Sequence, residues 1–207
     1  MVEEKSTPVV TVVDDDPEVR RSLGRLIGSV KLDVTMFGSV ADFRRDFDPS
    51  RPGCIVLDMR LPDSSGIDLL EELRSAAMTM PVIIITAYGD VASAVRAMHA
   101  DALDFLEKPF NDQVFLGRVQ QAIRLDAARR EQQVEREDVR SRVAALTTRE
   151  RQVMELVVMG KSNKMVAADL GISQKTAENY RAHLMSKMKA ESLAELVRLA
   201  MRDQPKT

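Results

Sequence analysis

The stretch Cys54-Ile-Val-Leu-Asp58-Met-Arg-Leu-Pro-Asp-Ser-Ser-Gly66 is an apolar run that stops abruptly at a carboxylate and continues into a loop carrying Pro62 and Gly66. The run reads as a buried strand. An ionised side chain at its carboxyl end is costly to bury unless a nearby group compensates it. Asp58 therefore needs a partner from elsewhere in the chain, and the neighbouring segments are the place to look for it.

On the N-terminal side, Val9 to Val13 is short and β-branched and is followed by Asp14, Asp15 and Asp16, which predicts another buried strand. Asp16 and Pro17 supply an N-cap and a first helical residue, and Val19, Leu23, Leu26, Ile27 and Val30 follow at helical spacing. Leu32 to Phe37 predicts a second strand and Ser39 to Phe47 a short helix. Beyond the Asp58 loop, Ile67 to Ser75 predicts a helix with Ile67, Leu70 and Leu73 inward. Pro81 opens the strand Val-Ile-Ile-Ile-Thr86, Asp90 caps a helix from Val91 to His99, and Asp104 to Leu106 makes a last short strand. Strand and helix alternate five times, which predicts an α/β doubly wound parallel sheet.

Ligands of such sheets gather beyond the carboxyl ends of the strands. Asp14 and Asp15 follow the first strand, Asp58 ends the third, Thr86 the fourth, and Lys108 and Pro109 follow the fifth. Three crowded carboxylates raise one another's pKa and call for a cation, and an all-oxygen set suits Mg²⁺. Lys108 and the Thr86 hydroxyl supply donors for phosphate oxygens, so the chemistry implied is an aspartyl phosphate on Asp58. Taken singly, an Asp cluster at a helix start, a strand-end Thr and a surface Lys are ordinary. Placed together at the ends of four strands of one sheet, they point to a site.

The chain has 207 residues, 44% of them hydrophobic, with one Cys and two His. That is too few ligands for a zinc site and none to spare for an internal disulfide, which suits a reducing cytoplasm. No apolar run approaches the roughly 20 residues of a membrane span, and the N-terminus lacks a signal-peptide pattern. A cytoplasmic protein with no membrane association is expected. The net charge of −2 hides an asymmetry: from Leu146 onward 11 Lys and Arg face 7 acids, leaving 19 against 25 before it. A basic second half fits a module for a polyanion.

From Asn111 the pattern predicts a long helix with Val114, Phe115, Val119 and Ile123 inward. Residues 124–151 then hold 8 Arg and 6 acids, the composition of a solvated helical joint. Thr147-Thr-Arg-Glu150 is a capping box; a helix runs to Gly160, another from Asn163 to Leu170 behind Ser162, and a third from Gln174 to Met188. Two helices joined at Gly171-Ile-Ser173 form a helix-turn-helix pattern. On the third, Ala177, Tyr180, Leu184 and Met188 share one side, while Lys175, Glu178, Asn179 and Ala182 share another that can enter a major groove. Lys164, Thr176, Arg181, His183 and Lys187 are candidates for phosphate contacts. Ser192-Leu-Ala-Glu195 caps a last helix. Without a fold match, a small helical dimerisation module remains the competing reading of this half.

Residues 9 to about 125 resemble the receiver domain of two-component response regulators, through Val-Val-Asp14-Asp15, Leu-Asp58-Met-Arg-Leu-Pro-Asp-Ser-Ser-Gly66, Ile-Thr86-Ala and Glu-Lys108-Pro109-Phe. Residues 144 to about 202 resemble the LuxR-type four-helix DNA-binding domain, through Leu-Thr-Thr-Arg-Glu-Arg-Gln-Val, Leu-Gly-Ile-Ser-Gln-Lys-Thr-Ala-Glu-Asn-Tyr and Lys-Met-Lys-Ala. Together they are similar to the FixJ/NarL type of response regulator. The resemblance implies a flavodoxin-like sheet ordered 2-1-3-4-5 and a cis bond before Pro109. It implies Asp58 as phosphoacceptor and a Mg²⁺ site (Mn²⁺ as substitute) of Asp14, Asp15, Asp58 and the Arg60 main-chain carbonyl. Thr86 and Lys108 would touch the phosphoryl group, and Phe105 would be the switch aromatic.

The implied organisation is a receiver over residues 1–124, a helical linker over 125–143 and a helix-turn-helix domain over 144–207. The implied function is that of a phosphorylation-activated transcriptional regulator and not an enzyme. Its partners would be a cognate sensor histidine kinase, double-stranded promoter DNA, a second copy when phosphorylated, and RNA polymerase. Leu196, Val197 and Ala200 are the dimer candidates on the last helix. A phosphorylation-independent DNA binder and a Mg²⁺-dependent phosphotransfer enzyme are the competing functions. The chain departs from its relatives at Asp101, in a turn where they carry Gly, which predicts local strain. It departs again at Ala177 and Tyr180, where they commonly carry Val and His.

Overall fold

A computed structural model describes residues 7–87 and 89–203, without the side chains of residues 202 and 203. The N-terminal stretch read for a signal peptide falls mostly outside the described residues. The chain divides into two compact units, Met1–Arg130 and Glu131–Thr207.

The first unit is a five-stranded parallel sheet of β1 (Val9–Val13), β2 (Asp33–Phe37), β3 (Gly53–Asp58), β4 (Val82–Thr86) and β5 (Asp104–Glu107), in the order β2-β1-β3-β4-β5. Between them run α1 (Pro17–Ser29), α2 (Val40–Asp46), α3 (Gly66–Ser75) and α4 (Val91–His99), and α5 (Asp112–Ala144) follows. Side chains alternate across each strand and so build two cores. Val13, Ile55, Leu57, Val82 and Ile84 pack with α2 and α3 on one face. Val10, Val12, Cys54, Val56, Ile83 and Ile85 pack with Leu23 and Ile27 of α1 and Phe115 and Val119 of α5 on the other. Cys54 is buried, and desolvation pushes its thiol up to about 12, an inert core position.

Element ends differ from the sequence expectation by a residue in several places. At β3 the reason is visible: Gly53 pairs with Val9, and a Cβ there would lie 1.8 Å from the Val9 carbonyl oxygen, so the strand begins on a residue that β-propensity excludes. Asp101 does adopt left-handed backbone, with φ of 60°. The turn is fastened by Arg74, whose guanidinium donates to Asp101 O at 3.0 Å and to Met78 O and Met80 O at 2.7 and 3.1 Å.

The second unit packs α6 (Thr148–Val158), α7 (Asn163–Leu170), α8 (Gln174–Met188) and α9 (Leu193–Asp203) around Val153, Val157, Val166, Leu184, Met188, Leu196 and Leu199. Gly171 ends α7 with φ of 65° and Ser173 caps α8, which produces the sharp turn between them. Val139 and Val143 near the end of α5 belong to this core. At the other end Asp126 and Arg130 belong to the first unit, so the solvated stretch of the joint is shorter than composition suggests. Among the described residues no helix is long and apolar enough to cross a membrane.

Candidate functional site

The sheet brings Asp14, Asp15, Asp58, Thr86 and Lys108 together at one edge, because each closes or follows a strand running in the same direction. Asp14 is fully buried and Asp58 nearly so. Each part of Asp14 is held: its N–H donates to Phe37 O at 3.2 Å, its Oδ1 accepts from Asp16 N at 2.9 Å, and its carbonyl accepts from Arg20 Nη1 at 2.6 Å. The Asp58 Oδ1 accepts from Arg60 N at 2.9 Å, which turns the main chain of Arg60 back over the carboxylate. Gly66 closes the same loop against Asp58 O, where a Cβ would sit at 2.1 Å, so only glycine fits.

Lys108 is the partner that Asp58 required. Its Nζ donates to Asp14 Oδ2 at 2.7 Å and to Asp58 Oδ2 at 2.5 Å. The Lys108 to Pro109 peptide is cis, and Lys108 N donates to Thr86 O at 2.7 Å, fixing the lysine to the end of β4. Burial opposes charge on Lys108, but the two carboxylates hold its pKa above the usual lysine value. Asp14 is raised as well, first by desolvation and further by the Asp58 charge, although Lys108 pulls it down. One lysine thus serves two acids and leaves the site short of positive charge.

One oxygen each of Asp14, Asp15 and Asp58 lies within 4.8 Å of the others. Small, hard, all-oxygen and net negative, this set fits Mg²⁺ or Mn²⁺. Thr86 is buried at the end of β4. Phe105, opposite Ile84 on β5, is half-buried against the core on the α2 and α3 face. A Cβ on Gly89 would meet its ring at 3.3 Å, so the loop before α4 lies directly against it.

In the second unit Lys175, Asn179, Ala182 and His183 are exposed on α8, and Glu178 is half-buried beside Gln174, whose Nε2 donates to Glu178 Oε1 at 3.3 Å. Ala177 is buried and Tyr180 packs on the core, so both departures from relatives face inward. Thr176 N and Oγ1 engage the Ser173 cap, Arg181 donates to Asn163 Oδ1 at 3.1 Å, and Lys164 is exposed on α7.

One residue has a partner that the sequence did not show, and another sits differently from expectation. Lys187 pairs at 2.7 Å with Glu150 of the capping box, a carboxylate buried under α8, and so braces α6 to α8. Leu196 is fully buried in the unit's own core and has no surface for a partner. Val197 and Ala200 are half-buried, and the large exposed apolar side chains described on α9 are Leu193 and Met201. Helical spacing located the apolar stripe but could not show which side of it the other helices would take.

Both units are similar to known proteins. Residues 10–120 match the response regulator receiver domain, and residues 144–200 match the bacterial regulatory proteins of the luxR family. The transcriptional regulatory protein FixJ of Azorhizobium caulinodans is 48% identical over 192 residues, covering 93% of this chain and 91% of that protein. Nodulation protein W of Bradyrhizobium diazoefficiens is 44% identical, covering 96% and 87%. Among solved structures, the response regulator StyR superposes with a TM-score of 0.87 at 40% identity, over 95% of this chain and all of that one. Full-length FixJ from B. japonicum gives a TM-score of 0.59 at 42% identity, over 96% and 98%.

Proposed function

This chain belongs to the two-component response regulators that join a receiver domain to a LuxR-type DNA-binding domain, and from that premise we propose that phosphorylation of Asp58 switches on its binding to promoter DNA. The observation that carries the reading is the Asp58 carboxylate set between Asp14, Asp15 and Lys108. A carboxylate oxygen of Asp58 attacks the phosphorus of a phosphohistidine on the kinase; the P–N bond breaks as the P–O bond forms, and the histidine leaves with the electron pair. Asp14, Asp15, Asp58 and the Arg60 carbonyl would hold Mg²⁺, which supplies charge neutralisation for the transferring group. Lys108 exchanges its contact with the Asp58 oxygen for one to the phosphoryl group, and the Thr86 hydroxyl provides a second donor. Movement of Thr86 would free space beside it for the half-buried Phe105 ring.

Inverting a resting ratio of 1:99 takes about 5.5 kcal/mol of differential interaction, which a dianion among these donors can supply. The exposed Val91, Val95 and Met98 of α4 offer an apolar face for a receiver dimer, and Leu193, Val197 and Met201 of α9 offer one for the second unit, in place of Leu196. A dimer would set two copies of α8 on a two-fold site, with Lys175, Glu178, Asn179 and Ala182 at the bases and Lys164, Thr176, Arg181 and His183 at phosphates. The protein would act in the cytoplasm as an activator that recruits RNA polymerase. The test is acetyl phosphate with Mg²⁺ on the wild type and on Asp58→Asn, followed by DNA selection from a random pool. Label, dimerisation and tighter DNA binding should appear in the wild type only; a variant that still dimerises and binds in response to the donor refutes the proposal.

A further inference from the structure

Among the described residues of the first unit, one buried acid has no part in the phosphorylation site. Asp126, on α5 near the end of the first unit, is 1% exposed. Its Oδ2 accepts from Gly53 N at 2.9 Å and from Arg130 Nε at 2.8 Å. One helical turn separates Asp126 from Arg130, so both face the sheet. The remaining Arg130 nitrogens donate to Ser50 O at 2.7 Å, Pro49 O at 3.1 Å and Arg51 O at 2.8 Å. The neighbouring Arg129 donates to Thr79 O at 2.5 Å.

These acceptors occupy two loops only. Residues 49–51 lead into β3, which ends in Asp58, and Thr79 leads toward β4, which ends in Thr86. Consecutive arginines of α5 thus grip the entry points of the two strands whose exit points carry the phosphoacceptor and its hydroxyl donor. A solvated tether needs no buried carboxylate and no guanidinium that makes four bonds to the domain before it.

We propose that Asp126, Arg129 and Arg130 form the receiver's output latch: they make residues 126–130 of α5 part of the domain that is phosphorylated, and they couple β3 and β4 to the linker. The latch rests on the proposed function, since it is a route for that signal. It places the working end of the receiver at Arg130, six residues beyond the boundary that the receiver motifs suggest.

The test uses the full chain, with Arg130→Gln and Arg129→Gln each compared with wild type. Three quantities are read: labelling of Asp58 by acetyl phosphate, hydrogen exchange of the amides over residues 126–134, and the ratio of DNA affinities with and without phosphorylation. With Arg130→Gln, labelling should stay within about twofold of wild type while protection over 126–130 falls by about tenfold. The phosphorylation-dependent gain in DNA affinity should fall by about fivefold or more. Arg129→Gln removes a single bond at a half-buried position, so it keeps the fold and carries the same expectation at smaller size. If protection is lost and the gain persists, the residues merely stabilise the receiver and the proposal is overturned. A wild type that takes label but shows no gain overturns the proposed function and the latch together, which separates that outcome from failure of the latch alone.

Discussion

Replacing Asp15 by Asn should make the metal-free receiver more stable while abolishing its response to Mg²⁺. One oxygen of each of Asp14, Asp15 and Asp58 lies within 4.8 Å of the others, where two unit charges repel by about 3.5 kcal/mol at an effective dielectric of about 20. The Lys108 ion pairs at 2.7 and 2.5 Å go to Asp14 and Asp58, so they relieve those two acids first. Asp15 repels both of its neighbours. It is also exposed, and water and salt reduce its net cost to about 1 kcal/mol. Asn keeps the shape and removes the charge. In the wild type, saturating Mg²⁺ should add about 2.7 kcal/mol at a hundredfold excess over its Kd. The assay is urea unfolding of the receiver transition by circular dichroism, in EDTA and in MgCl₂. A variant less stable than wild type in EDTA, or one that keeps the Mg²⁺ increment, would show that the three acids do not share one cation site.

Leu196→Ala should lower the stability of the second unit by about 2–5 kcal/mol, read by the same unfolding, because its side chain is fully buried in that core. Met201→Ser, at an exposed position, should leave stability unchanged and weaken association of phosphorylated protein, read by sedimentation. Glu150 and Asp14 should contribute to stability with opposite signs as pH falls. The Lys187 ammonium and the Thr147 N–H hold Glu150 down from 4.5 to about 2, so its contribution is complete above 4.5 and is lost as pH falls toward 2. Desolvation holds Asp14 above its ordinary 3.8, so its ionised form weakens the receiver at neutral pH, and that penalty lifts as pH falls through its raised value. Hydrogen exchange measured separately in the two units across pH 7 to 3 checks both signs.

The strands, the helices and the acidic carboxyl end of the sheet were legible because each rests on short-range pattern, β-branched runs ending in polar residues and caps such as Asp16 and Ser173, whereas the strand order followed only from the resemblance to receiver domains. What stayed hidden depends on which neighbour a side chain meets. Leu196 and Met201 both lie on the apolar stripe of α9, and only packing decides that one is core and the other surface. Lys187 looks like any exposed lysine of α8 until the buried Glu150 appears beneath it. Asp126 and Arg130 read as a solvated i, i+4 pair, since nothing local announces that carbonyls from residues 49–51 will cover them. Arg20, six residues along from Asp14, is likewise invisible until the helix folds back over the first strand.

The turn at Asp101 ties one position to a distant one. A side chain in left-handed backbone is a burden that glycine avoids, and here the Arg74 guanidinium, bonded to the Asp101 carbonyl and 3.6 Å from its carboxylate, offsets it. With both in place, exchanging Arg74 removes the bonds that fasten a turn held in left-handed backbone by a residue other than glycine, so the choice at position 101 bears on a helix 27 residues away in sequence.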